Sequence, residues 1–502
     1  MAVARHAAGA RDGVLRPLPI LIGLVTGAAV VAALNVERKT GAAILAGLLF
    51  LASTSVIGAR RAFLIGFLTF IPLSADVNFG YRDNAGSVGG LIISAADMCL
   101  FALTAMWLFQ LATSRPRVRV GLALLLPALA ILSVGVLSLL GSDHLALGLF
   151  ELFCLSKATL ILLVLPQMLR DERDLKLALG VLLAGLVLQS ALALTQARLG
   201  TSLGLEVLGE NRNLVSQQLL TSKFNRTAGT LLHPNMLACY LNLLLFTGIA
   251  QLLVLRPTMR TVLTLLVSGL GVSALIVTLS RGGWIAFAAG YAVLSVLIYI
   301  HVPARRVLLV SLSLALLVAI GSAAVLPTVV HERLVANDFQ SAHLRIPLTK
   351  IALKIIASAP VLGTGINSYP QIVPAFIINE APELIPIWYD VDNMVVHNLL
   401  LLVTAEMGLL GLAAFLWLMG ALLWMAWRIA GGGRGWLSAV GMGIASGMVA
   451  FLAAETVDAS YRIGQTLVYL VYTWGAFMVA AEAVMLPGEP AAPDQTLQTA
   501  MK

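Results

Sequence analysis

Apolar residues along this chain run in blocks rather than in alternation. Stretches close to the length a helix needs to cross a bilayer fall near 17–36, 41–59, 62–75, 91–112, 121–141, 145–169 and 177–196. Seven more follow near 235–255, 261–280, 283–302, 307–326, 398–427, 436–456 and 465–486. Such blocks are expected to be helical, because a helix closes its own backbone hydrogen bonds in lipid. A β-barrel would instead show segments of about ten residues with alternating polarity. The pattern predicts an all-α polytopic membrane protein of about fourteen spans, in the range 12–14 because the third block is short.

The polar connections orient these spans. Lys and Arg concentrate in the short connections "RR" (60–61), "SRPRVR", "RDERDLK", "RPTMR", "PARR" and "RIAGGGRG", and in both tails. Positive charge in short connections marks the cytoplasmic side, so both termini are expected inside. Segments 76–90, 197–234 and 327–397 then lie outside. The last is long enough to be expected to do something. Within it "PLTKIALKIIAS" (347–358) opens on a proline suited to a first helical turn. Leu348, Ala352 and Ile355 fall on one face and Lys350 and Lys354 on the opposite one, which predicts an amphipathic helix on the membrane surface. The organisation read from this is an N-terminal bundle (1–196) and a central region (197–427) containing the loop 327–397. C-terminal spans (428–486) and a disordered tail (487–502) follow.

Composition agrees. The 502 residues are 59% hydrophobic and 11% charged, with a mean hydropathy of +0.95. A soluble chain carries roughly twice that charged fraction. The net charge of +8 needs no nucleic acid to explain it, since membrane topology already calls for those arginines. Cys99, Cys154 and Cys239 stand singly in apolar segments, so no disulfide framework or zinc site is indicated. The N-terminal "MAVARHAAGARDGVLRP" reads as a cytoplasmic anchor for the first span, not as a cleaved signal.

The candidate chemistry sits at three helix mouths on the outer side. "NRTAGTLLHPN" (225–235) opens the eighth block with Arg226, His233 and Asn235, the last a good N-cap residue. "SRGGW" (280–284) opens the tenth with Arg281. "VDNMVVHNLLLL" carries His397 and Asn398 to the start of the twelfth. Helix N-termini with arginines suit phosphate. A histidine at such a mouth has its protonation disfavoured by the helix dipole and stays available as a general base.

At these residues the chain resembles the O-antigen ligase and polymerase superfamily, over roughly 200–427. Four pieces carry the resemblance: "RTAGTLLHPNMLACY", "TLSRGGWIAF", "HLRIPLTKIALKIIASAPVLGTGINSY" and "VHNLLLLVTAEMGLLGLAAF". The resemblance implies glycosyl transfer at the periplasmic face of the bacterial inner membrane, without metal or cofactor. The donor it implies is a glycan on undecaprenyl pyrophosphate, and the acceptor a sugar hydroxyl such as one on lipid A–core. Arg226 and Arg281 match positions expected to hold the pyrophosphate, and Arg345 matches a recurrent loop arginine. Family members often carry a tryptophan shortly after that arginine, where this chain has Pro347 and Leu348. His397 matches the histidine expected to activate the acceptor.

Plainer readings stand beside these. His397 could cap a helix, Arg281 could be an interfacial anchor, and His233 could satisfy the backbone of its turn. Asp390 and Asp392 form a D-x-D, a pattern that binds metal in soluble sugar-nucleotide transferases. With no alternating strand–helix pattern around it, these aspartates more readily orient His397 or pair with an arginine. Asp97, Glu151, Lys157, Glu406 and Glu455 fall within apolar blocks and need partners; Asp97 and Glu151 could line an acceptor cleft. Asp458 and Arg462, four apart, are expected to pair on a helix end. A polymerase of the same superfamily is the near alternative. A transporter of lipid-linked anions is the distant one, disfavoured because the polar groups gather at one face and not at the midplane.

Overall fold

The structure is a computed structural model, described here for residues 54, 56–82, 84, 88–114, 116–211, 226–252, 259–301, 339–380, 382, 395–433 and 435–485. The blocks at 17–36 and 307–326, most of 41–59, and the tail 487–502 lie outside the described residues, as do Asp390 and Asp392.

Helices dominate. In chain order they are α1 (Ala59–Phe70), α2 (Ala95–Ser114), α3 (Leu122–Ser138), α4 (Leu145–Met168) and α5 (Glu172–Leu199). Then come α6 (Pro234–Gln251), α7 (Met259–Val277), α8 (Arg281–His301), α9 (Phe339–Ser358) and α10 (Tyr369–Glu380). The last three are α11 (Leu399–Gly432), α12 (Trp436–Glu455) and α13 (Thr466–Met485). Eight of the described helices are long and apolar enough to cross a membrane. An all-α polytopic membrane protein is the architecture they fit. The third block forms only the 12-residue α1, so its shortness in the sequence was meaningful.

One element was not predicted. Strands β1 (Asp76–Phe79) and β2 (Leu91–Ser94) pair antiparallel, with Asp76 opposite Ser94 and Phe79 opposite Leu91. The apolar block at 91–112 therefore starts as a strand and turns helical only at Ala95. The switch has a local cause. Ser94 donates its backbone N–H to Asp97 (2.8 Å) while Asp97 donates its own to the Ser94 hydroxyl (3.2 Å), a reciprocal cap that starts α2.

Helices α6, α12 and α13 form the centre, buried along nearly their whole length. Small residues set their spacing. A side chain at Gly443 or Gly447 of α12 would run into the backbone of α6 at Thr247 or Leu243, so these glycines let the two helices touch, as in lipid-embedded packing generally.

Helix α11 bends at Gly408, whose φ of 65° and ψ of −169° break the helical path. The bend frees the carbonyls of Ala405 and Glu406, and the "APVLGTG" loop takes them up. Thr364 N–H donates to Ala405 (3.0 Å) and Gly365 N–H to Glu406 (2.9 Å), while Leu409 N–H reaches Pro360 (2.8 Å). Two of the sequence pieces quoted above are thus halves of one joint. It fixes the short arm of α11 that carries Asn398 at its tip.

Two readings of the large loop change here. The helix containing "PLTKIALKIIAS" begins at Phe339, with Pro347 inside it. Its face of Leu348, Ala352 and Ile355 is buried, as the pattern indicated. It packs against Tyr369, Val396, Leu402 and Ala459, so α9 is a cover on protein and not a float on lipid.

Candidate functional site

His397 stands just before α11, whose N-cap is Asn398: the Asn398 side chain accepts from Leu401 N–H (3.0 Å). The Asn398 amide also donates to the Thr456 carbonyl (2.9 Å), and Leu399 N–H donates to the Asp458 carbonyl (3.0 Å). The start of α11 is therefore stitched to the chain leaving α12. That stitching brings Asp458 to His397, with Nδ1 and Oδ1 3.3 Å apart. The other oxygen of Asp458 accepts from the Ser460 hydroxyl (2.6 Å).

This corrects the expectation that Asp458 pairs with Arg462. Spacing of four residues pairs side chains only on a regular helix. Here the chain leaves α12 at Glu455 and makes only a short 3₁₀ turn at Ser460–Arg462. Arg462 instead reaches Glu151 (3.3 Å) and Glu406 (2.9 Å). Sequence reasoning missed Asp458 as the partner of His397. A signal was available: α11 and α12 form an antiparallel hairpin, so the residue before one helix and the residues after the other must meet.

The geometry suits a base. A carboxylate at Nδ1 holds the proton on that nitrogen and leaves Nε2 as the acceptor. Burial alone would raise the Asp458 carboxyl. The hydrogen bonds from His397 and Ser460 outweigh it and hold the group well below the usual carboxylate range. Asp458 therefore stays ionised through any working pH. The carboxylate is buried and the imidazole of His397 is 43% exposed.

His233 belongs to the same electrostatic neighbourhood, influenced by Arg226, Asp458 and His397. It is the N-cap of α6, with Pro234 at the first helical position, and its Nδ1 accepts from Asn235 N–H (3.2 Å). Asn235 is thus not the cap. The reading of His233 as a residue that satisfies its turn is the one the structure supports. Burial and the Arg226 charge push its imidazole down to about 4, so it is neutral when it caps.

The Arg226 guanidinium donates to the Asn235 side-chain oxygen (2.8 Å) and to the Thr278 carbonyl (3.2 Å). Thr278 lies at the end of α7, two residues from Ser280, whose hydroxyl caps α8 by accepting from Gly283 N–H (3.2 Å). Arg281 is the first residue of α8. The next residue, Gly282, faces Val457, the neighbour of Asp458. All three mouths named from the sequence therefore meet at one end of the bundle. Leu232 (φ 60°) and Leu279 (φ 51°), which precede two of these mouths, both adopt left-handed backbone. For bulky residues that costs energy and clusters at functional sites.

Other expectations resolve differently. Arg345 is exposed on α9, the helix covering this end. Asp97 and Glu151 are both taken up by buried cations. Asp97 is fully buried, ion-paired with Lys157 at 2.8 Å and bonded by the Tyr469 hydroxyl. Glu151 is committed to Arg462. Glu455 accepts from Tyr461 N–H (3.2 Å). The three cysteines are free and buried.

Among curated proteins, none matches this chain. Residues 266–416 match the family model described as O-antigen ligase. The matched stretch takes in Arg281, Arg345, His397 and the Gly408 joint, while Arg226, His233 and Asp458 come from outside it. The segment that supplies His397 and Arg281 to the gathered helix mouths is thus similar, over residues 266–416, to the O-antigen ligase family.

Proposed function

We propose that this membrane enzyme is a glycosyltransferase of the O-antigen ligase type. It moves a glycan from undecaprenyl pyrophosphate to a hydroxyl of lipid A–core at the periplasmic face of the inner membrane. The observation that carries the reading is the His397–Asp458 pair (3.3 Å) at the mouth that also holds Arg226 and Arg281.

The chemistry follows from that arrangement. His397 Nε2 takes the proton of the acceptor hydroxyl, and the oxygen attacks the anomeric carbon. The carbon–oxygen bond to pyrophosphate breaks and its electron pair leaves with the phosphate. Asp458 stabilises the imidazolium that forms, and Arg226 and Arg281 meet the charge that develops on the leaving group. Direct attack inverts the anomeric centre, because Asp458 is already bonded to the base. Asn398 holds the start of α11, and His233 holds that of α6, so both position the site. The orientation is supported by the opposite end of the bundle. There Arg60, Arg61, Arg119, Arg170 and Arg428 gather, as the cytoplasmic ends of spans do.

The test is a surface glycolipid gel from a deletion strain complemented with wild type or His397→Ala, with carrier-linked polymer analysed from the same cells. Bare lipid A–core and long chains stranded on the carrier, unrescued by His397→Ala, are the expected result. Core capped by a single repeat would make the enzyme a polymerase. Full rescue by His397→Ala would remove the proposed base.

A further inference from the structure

Beside the His397 end of the bundle lies a cleft of about 300 Å³ that the mechanism above does not use. It opens between the β1–β2 hairpin, the end of α1 and the turn before α13. It reaches Leu232, the strained residue next to His233. Its lining is divided by polarity. Ile71, Leu73, Ile92 and Met236 supply an apolar floor, while Asp76, Asn78 and Tyr81 stand at the hairpin side.

Asp76 and Asn78 are two apart on one strand, and side chains at that spacing point the same way. Both line the cleft. Neither they nor Tyr81 has a side-chain hydrogen bond or ion pair among the described residues. The contrast with nearby polar groups is sharp. Asn84 is bonded to Asn367 (3.0 Å), and Gln465 is held by Lys157 (3.1 Å) and the Ile92 carbonyl (3.2 Å). The hairpin is itself anchored: Asn367 donates to Val88 (2.7 Å) and to Leu147 (2.8 Å). The unused carboxylate, amide and phenol are therefore presented by a fixed frame.

We infer that this cleft binds a saccharide residue of the transferred or accepting glycan, held by Asp76, Asn78 and Tyr81 over the apolar floor. A sugar ring has apolar C–H faces and adjacent hydroxyls. An aromatic ring suits the former, and a carboxylate with an amide accepts from and donates to the latter. A second phosphate does not fit, because the Asp76 carboxylate would repel it. A polyprenyl tail would leave the same carboxylate desolvated and unpaired. The division is functional: pyrophosphate goes to the arginines, sugar to the hairpin. The inference rests on the transferase reading of the His397 site.

Ser74 lines the cleft and offers a reporter, since the native cysteines are buried. The full chain in nanodiscs, carrying Ser74→Cys, is labelled with a maleimide alone or with one of four probes. These are soluble core oligosaccharide, soluble repeat-unit oligosaccharide, undecaprenyl phosphate and inorganic pyrophosphate. One of the oligosaccharides is expected to slow labelling and the two phosphate probes are not. Asp76→Ala should weaken that protection about tenfold, as loss of a charge-assisted hydrogen bond does; Asp76→Asn and Tyr81→Phe give milder versions that keep the fold. No protection by either oligosaccharide, or protection by undecaprenyl phosphate alone, overturns the inference. His397→Ala in the same background should leave protection intact. A deletion strain whose surface glycolipid and carrier-linked polymer match wild type would defeat the transferase reading instead, so the two failures are distinguishable.

Discussion

Asp458 and Arg462 are four residues apart in the connection between α12 and α13, yet they serve two differently built charge clusters. Arg462, Glu151 and Glu406 are each 5% exposed or less. They face only one another and the helices around them. Asp458 is buried too, but its partner His397 has 43% of its side chain open to the surface. A cluster closed on all sides fixes packing, because nothing from outside reaches its groups. A cluster with one open member passes the effect of a buried charge to something that arrives from outside. The second arrangement is the one a base needs.

Breaking the closed cluster should have the largest effect. Arg462→Met leaves Glu151 and Glu406 buried without their cation, a change worth about 3–5 kcal/mol. The expected outcome is a collapse of folded yield in detergent, seen as a lost monodisperse peak. A folded but inactive Arg462→Met protein would mean that the closed cluster takes part in the chemistry.

His397→Ala should do the reverse, leaving folding intact and lowering transfer by about 10³-fold, or about 4 kcal/mol of barrier. A thermal melt beside a transfer assay separates the two effects. Asp458→Asn comes next. Losing the carboxylate that orients the imidazole should cost about 10²-fold in turnover with little change in acceptor KM. A KM effect alone would assign Asp458 to binding.

The smallest expected effect is a pH dependence at His233. Its imidazole is held at about 4, against about 6.5 unfolded. A group whose folded value is depressed is protonated first in the unfolded chain. His233 therefore contributes stability at neutral pH that is lost as pH falls from about 6.5 towards about 4. His233→Asn, which keeps a capping side chain, should flatten the fall of melting temperature over that window. An unchanged slope would remove His233 as its source.

Much of this was legible in the sequence because membrane spans announce themselves by length and apolarity alone. The buried stripe of α9 was legible as a pattern, but its partner was not. A helix with one apolar face reads the same whether protein or lipid covers it. The strand at Leu91–Ser94 was missed because a short apolar run beside a helix start has no period of its own.

The sequence by itself determined that His397, Arg226 and Arg281 stand at helix starts on one side of the chain's path. Apolar block lengths and loop order settle that much. Only the tertiary structure decided which group orients His397. The antiparallel return of α12 beside α11 and the irregular turn at Ser460 set which side chains meet, and spacing along the chain carries no such information. The same holds for the hairpin cleft, where residues near 76 come to lie beside residues near 232 and 465. Contacts across such separations follow from packing, and packing is a property of the whole bundle.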